Sequence, residues 1–305
     1  MSLALLFPGQ GTQHPAMLSW LGTEPAAREA LALLAAALGP DWRGRLDDPS
    51  WSGSNTVAQS LLTGLCIAAW NCVAPYLPGP AICAGYSVGE LPAFCAASVF
   101  DSATAIRLAH ERAAAMDRSV AGRDTGLMAV QGVGRPGIDA ACARHALEVA
   151  IDQGADRFVL GGLSTALMQA ETDLAARGAR CTRLAVRVAS HTSWVAAAAH
   201  DFAGQLEAMT FQTPRVPLVC NLTGTAVRGA AELKRALAGQ ITNTVRWNDC
   251  MEWIAERRVA CVLEIGPGSS LAKLWNDGHP DVPARSIDEF RSAEAVVQWV
   301  QATLG

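Results

Sequence analysis

The sequence predicts an α/β fold in two parts, a large unit around a parallel sheet and a smaller unit inserted into it. Three observations point there. From residue 3 to residue 119, short apolar runs alternate with helix-length segments, as in a parallel sheet joined by crossover helices. Half of the 305 residues are apolar and 17% are charged, which suits strands buried on both faces. After residue 126 the rhythm changes to strand, helix, strand, strand, helix, strand, an order that simple strand–helix alternation does not produce.

The elements follow in order. Residues 3–7, Leu-Ala-Leu-Leu-Phe, read as a buried strand. No Lys or Arg precedes Arg28, and Pro8-Gly9 cuts the apolar run short, so a first strand is expected rather than a signal peptide. The loop Pro8-Gly9-Gln10-Gly11-Thr12 leaves the carboxyl end of that strand, where α/β proteins bind ligands. Helical patterns cover 26–38 and 56–74. A short apolar strand at 81–84 leads into Gly85-Tyr86-Ser87-Val88-Gly89-Glu90, followed by helices at 88–97 and 102–119.

The middle segment then gives strands at 127–133, 147–152, 157–160 and 181–185, with helices at 137–145 and 164–176. This order is that of a ferredoxin-like unit. The expected boundaries are 125–189 for the insert and 1–124 with 190–305 for the large unit. The α/β rhythm resumes with a strand at 216–220, helices at 231–238 and 247–257, a strand at 259–265, the turn Gly266-Pro267-Gly268, a helix at 269–275, and a last strand and helix.

Composition narrows the function classes. A net charge of -4 gives nucleic acid no general attraction, and Lys234 and Lys273 are the only lysines. Nine scattered cysteines with no C-x-x-C spacing fit reduced thiols and a cytoplasmic location. No uninterrupted apolar stretch reaches the length of about 18 residues that a membrane helix needs.

Gly85-Tyr86-Ser87-Val88-Gly89 has the G-x-S-x-G spacing of a nucleophile elbow, in which a serine sits at a sharp strand-to-helix corner. The same residues also fit an ordinary glycine-rich turn. A serine nucleophile needs a base. Of six histidines, His191 stands at a polar junction where the insert ends, in Ser190-His191-Thr192-Ser193; a helix-capping or packing role is the alternative. The Gly9-Gln10-Gly11 loop could supply a backbone N–H to a developing oxyanion, with the Val88 N–H as the second donor, or form only a tight turn. Arg112, in His110-Glu111-Arg112, could hold a carboxylate with its guanidinium fork, or lie on a solvated helix face beside Glu111.

Five separated segments together resemble the malonyl-CoA:acyl carrier protein transacylases: Phe7-Pro8-Gly9-Gln10-Gly11-Thr12-Gln13, the 85–90 elbow, Arg112 with Met116, Ser190-His191, and Gln240 to Trp247 followed by Glu264-Ile265-Gly266-Pro267-Gly268. The resemblance spans nearly the whole chain. It implies an α/β hydrolase-like large domain with a ferredoxin-like small one. It further implies Ser87 as the acyl-carrying nucleophile, His191 as general base and acid oriented by the Gln240 carbonyl, Arg112 as partner of the malonyl carboxylate, and the Gln10 and Val88 amides as the oxyanion hole. Malonyl-CoA would be a substrate, no cofactor would be bound permanently, and the acceptor thiol would belong to a prosthetic group on an acyl carrier protein.

Within this family, the opening 5–15 and the tail 284–291 resemble the malonate decarboxylase epsilon subunit, which implies that decarboxylase's carrier subunit as partner. A malonyl transacylase of fatty-acid or polyketide synthesis is the alternative. Position 86 is Tyr where fatty-acid enzymes carry His, Val188-Ala189-Ser190-His191 matches neither usual polyketide signature, Thr244 replaces a common proline, and Ile151-Asp152-Gln153-Gly154-Ala155 lacks the usual asparagine-containing turn. A rival from another class, a patatin-like or α/β serine hydrolase, requires a catalytic aspartate, for which Asp277-Gly278 is the single Asp-Gly pair.

Overall fold

The computed structural model describes residues 2–305. The first stretch contains β1 (Leu3–Phe7), α1 (Arg28–Leu38), α2 (Pro49–Ser52), α3 (Asn55–Val73), β2 (Ile82–Gly85), α4 (Glu90–Ala96) and α5 (Ser102–Ser119). The middle contains β3 (Thr125–Gln131), α6 (Arg135–His145), β4 (Glu148–Asp152), β5 (Arg157–Leu163), α7 (Ser164–Ala175) and β6 (Arg180–Arg183). The last stretch contains α8 (Ala196–Glu207), β7 (Leu218–Cys220), β8 (Thr225–Val227), α9 (Ala230–Gly239), β9 (Val245–Arg246), α10 (Trp247–Ala255), β10 (Cys261–Glu264), α11 (Ser270–Gly278), β11 (Ala284–Ser286) and α12 (Ala293–Leu304).

One sheet runs β11-β10-β1-β2-β7-β8. Its first five strands are mutually parallel, and β8 closes one edge antiparallel to β7. All residues of β1, β2 and β10 are buried, as expected for strands covered on both faces. Because β1 and β2 are neighbours in register (Phe7 opposite Gly85), the Gly9 loop and the 85–90 turn leave the same sheet end side by side.

The second sheet runs β6-β3-β5-β4-β9. The insert supplies four antiparallel strands, and β9, from the returning chain, adds in parallel to β4. Period-two alternation divides its faces. Met128, Val130, Phe158 and Leu160 pack under α6 and α7 with Ile138, Leu167 and Leu174. Leu127, Ile151 and Val159 join Leu6, Ala84 and Trp247 of the larger unit in a shared core.

Several predicted boundaries move for identifiable reasons. The strand expected at 127–133 lies two residues earlier, because Gly132 at φ +95 ends it. The elbow helix begins as a single 3-10 turn, Ser87–Gly89, before α4. The three-residue β8 and two-residue β9 are too short to show a periodic pattern. The stretch Asn55–Tyr76 is long and apolar enough to cross a membrane, with an 18-residue window of mean hydropathy 1.5, yet 83% of that window is buried inside the fold. It is a core helix whose Gln59 faces the cleft.

Candidate active site

The turn after β2 is forced by its glycines. A Cβ on Gly85 would overlap the Gly89 carbonyl, and one on Gly89 would overlap the Phe7 carbonyl, so strand, turn and helix meet without side chains between them. Ser87 sits at φ +55, a left-handed conformation that costs a non-glycine residue about 1–2 kcal/mol. Asn221 holds it there. Its Oδ1 accepts from the Ser87 amide at 2.7 Å and its Nδ2 donates to the Gly85 carbonyl at 2.6 Å. The Gly89 amide donates to the Tyr86 carbonyl at 2.9 Å, so these bonds use the amides on either side of Val88.

His191 enters from the loop after β6, also left-handed at φ +64 and buried. Its amide donates to the Ile241 carbonyl at 2.8 Å. The ring Nδ1 lies 2.6 Å from the Gln240 carbonyl and Nε2 lies 2.7 Å from Ser87 Oγ. A carbonyl only accepts, so Nδ1 carries the proton and Nε2 is left to accept from the Ser87 hydroxyl. Burial, reinforced by the Arg112 charge, pushes the imidazole down to about 3. The ring is therefore neutral at pH 7, ready to take a proton. The loop is tied to the second sheet where the Ser193 amide and hydroxyl donate to the Glu148 carboxylate.

Arg112 projects from α5 and is 1% exposed. Its Nη1 donates to Gln59 Oε1 at 2.6 Å, while Nη2 reaches Gln240 Oε1 and Ser87 Oγ at 3.4 Å each, and Nε has no partner among the described residues. Gln59 is itself oriented by donating to Asn55 Oδ1. Burial lowers the guanidinium to about 10, with Glu90 opposing the shift, so the cation persists at neutral pH. Glu90 is fully buried and pushed up to about 8 by burial; its Oε1 accepts the Asn221 backbone amide and its Oε2 has no partner among the described residues. A buried cation with unspent donors beside a nucleophile is a site for a small anion. Arg112 is buried and the neighbouring Glu111 pairs with Arg107 instead, so the solvated-face alternative for Arg112 does not hold.

These groups open into one cleft of about 560 Å³ between the two sheets, lined by Gln10 and Tyr86 from the large unit and by Leu127, Ile151 and Val159 from the small sheet. Asp277, the aspartate the rival serine-hydrolase reading requires, lines this cleft but pairs with Arg157 at 2.9 Å. The His191 Nδ1 position is taken by a backbone carbonyl instead.

The structure thus brings Ser87, His191, Gln240 and Arg112 into hydrogen-bonding reach and places Gln10 in the same cleft. Val88 is buried in the turn beside them. Sequence reasoning missed Asn221, Gln59 and Gln153. Asn221 acts across 134 residues, with no motif around Cys220-Asn221 to mark it. In the sequence Gln59 is marked only as a polar residue interrupting an apolar helix.

A family profile described as "Acyl transferase domain" matches residues 4–301. The chain is 33% identical over 304 residues to the malonyl CoA-acyl carrier protein transacylase of Salmonella typhimurium, covering 96% of this chain and 98% of that one. It is 32% identical over 291 residues to the enzyme of the same name from Mycobacterium tuberculosis, covering 93% and 96%. Among solved structures, a malonyl-transacylase in complex with its type II PKS acyl-carrier protein superposes with a TM-score of 0.92 at 29% identity, covering 98% of this chain and 99% of that one. An acyl-carrier-protein S-malonyltransferase from Burkholderia pseudomallei gives 0.91 at 27% identity, covering 98% and 100%.

Proposed function

This chain belongs to the acyl transferase family and is an acyltransferase, and from that premise we propose that it moves a malonyl group from malonyl-CoA to the thiol of an acyl carrier protein through an ester on Ser87. The observation that carries the proposal is the Arg112 guanidinium, buried, 3.4 Å from Ser87 Oγ and with Nε unspent. An acyl group ending in a carboxylate would complete its hydrogen bonding, whereas an uncharged acyl group would leave the buried charge unanswered.

Each step then falls to a named group. His191 Nε2 takes the Ser87 proton as Oγ attacks the thioester carbon, and the Gln240 carbonyl holds the ring in the accepting tautomer. The Gln10 and Val88 amides receive the developing oxyanion. His191 returns the proton to the departing CoA thiolate, and the carrier thiol later attacks the Ser87 ester by the same route in reverse, a ping-pong sequence.

The named relatives support a carrier of fatty-acid or polyketide synthesis better than the malonate decarboxylase carrier suggested by residues 5–15 and 284–291. The decarboxylase assignment stands as the narrower reading. Strand order supports treating 125–189 as a ferredoxin-like small domain within an α/β hydrolase-like large one (1–124 and 190–305). Nine unpaired cysteines support a cytoplasmic location. The test compares malonyl transfer from malonyl-CoA to a phosphopantetheine-bearing carrier of fatty-acid synthesis with transfer to a decarboxylase carrier subunit. Faster transfer to the first supports this reading, and transfer confined to the second would replace its acceptor.

A further inference from the structure

We propose that Tyr86 and Gln153 form a latch across the cleft that makes the Ser87 ester react with a thiol rather than with water. The inference rests on the acyl-enzyme reading given above. Tyr86 immediately precedes the nucleophile, and its backbone is part of the turn: its amide donates to the Phe7 carbonyl at 2.9 Å and its carbonyl accepts from the Gly89 amide. The ring stands edge-on to Trp247 with centroids 5.0 Å apart, and it covers Gly9, where an added Cβ would lie 2.7 Å from Tyr86 Cδ1. The phenol oxygen then reaches the second sheet, accepting from Gln153 Nε2 at 2.8 Å.

Gln153 lies in a braced turn between β4 and β5. Its amide donates to the Arg157 carbonyl, Asp152 Oδ1 accepts the Gly154 amide, and Gly154 packs against Asn248, next to Trp247. Tyr86 and Gln153 both line the cleft that holds Ser87. A second polar strap across its mouth, Arg157 to Asp277, has side chains 33% and 58% exposed and is correspondingly weak. The half-buried Tyr86–Gln153 bond therefore adds to the β4–β9 pairing in holding the small-sheet turn close to the elbow.

Two steps compete once the ester has formed. In transfer, the thiol sulfur bonds to the ester carbon, the carbon–Oγ bond breaks, and the thiol proton passes through His191 to Ser87 Oγ. In hydrolysis a water oxygen makes the same attack, and malonate leaves. A long thiol arm can thread a narrow slot lined by Leu127, Ile151 and Val159, whereas a widened slot fills with water beside the ester. Tyr86 and Gln153 act through cleft width and so are positioning residues.

The experiment loads the full-length protein with malonyl-CoA, isolates the Ser87 ester, and measures its partition between pantetheine and water as malonyl-pantetheine against malonate. In Y86F the ring packing survives and only the hydroxyl is lost. We expect Ser87 acylation within about twofold of the parent and a shift toward malonate of about fivefold, the scale of one neutral hydrogen bond. Q153L should match it, and Y86F/Q153L should be no worse than either single variant, as for two ends of one contact. Q153E, whose carboxylate can accept the phenol proton, should return the partition toward the parent value. An unchanged partition in Y86F, or additive losses in the double variant, would overturn the latch alone. A parent protein whose Ser87 takes no malonyl group would overturn the proposed function and the latch with it.

Discussion

The Gln240 carbonyl oxygen lies 2.6 Å from His191 Nδ1, and this one contact fixes which nitrogen of the imidazole faces Ser87. Most serine-nucleophile sites place a carboxylate here. The carbonyl's bond favours the imidazolium, but burial, reinforced by the Arg112 charge, outweighs it and pushes the ring down to about 3.

The pH dependence follows. Under the proposed mechanism a neutral His191 is the competent form, and it persists down to about pH 3 because burial and Arg112 oppose protonation. The acylation rate by malonyl-CoA should therefore stay level from pH 7.5 to about pH 5, where a histidine of ordinary pKa would already be mostly charged. Stopped-flow release of CoA across that range checks this. An acid limb centred near 6.5 would show an unperturbed imidazole.

Arg112→Ala should lower kcat/KM for malonyl-CoA by about 30- to 150-fold, the loss of a charge-assisted contact worth about 2–3 kcal/mol. Acetyl-CoA has no carboxylate to place, so the same variant should change acetyl transfer far less. Steady-state kinetics with both thioesters give the ratio, and equal losses would remove Arg112 from carboxylate binding.

Asn221→Ala removes both side-chain bonds that hold the Ser87 turn. The unpaired Ser87 amide and Gly85 carbonyl should cost about 1–3 kcal/mol of stability. Acylation kcat should fall with little change in KM, because the turn relaxes from its left-handed conformation while the cleft is retained. Denaturant unfolding together with kinetics separates the two effects.

Glu264 is buried, pushed up to about 8 by desolvation, and has one carboxylate oxygen without a partner among the described residues. Its folded pKa lies above the unfolded one, so the folded state binds the extra proton between about pH 4.5 and 8, and stability falls as pH rises through that window. Glu264→Gln keeps the acceptor for the Ala272 amide and removes the ionisation. Its melting temperature should match the parent at pH 5 and exceed it at pH 8.5 by a few degrees; a constant difference across pH would contradict the assignment.

Much of this site was legible because its chemistry is local. The glycines of Gly85-Tyr86-Ser87-Val88-Gly89 are required by backbone collisions within the turn itself, and strand patterns placed the 7–13 loop beside it. The contacts that tune the site were not legible. Asn221 meets Ser87, Gln59 meets Arg112, and Gln153 meets Tyr86 across gaps of 134, 53 and 67 residues, and only the packed fold brings each pair together. Tyr86 stood out as a departure from the resembling family, but its partner lies in a segment that also departs, so neither substitution explained the other until both were seen in one cleft.

Whether Ser87 carries the malonyl group is read by intact-protein mass spectrometry after brief mixing with malonyl-CoA. The protein should gain one malonyl group, located by peptide mapping to Ser87 and absent in Ser87→Ala. A parent mass left unchanged by malonyl-CoA, or equal labelling of Ser87→Ala, would contradict it.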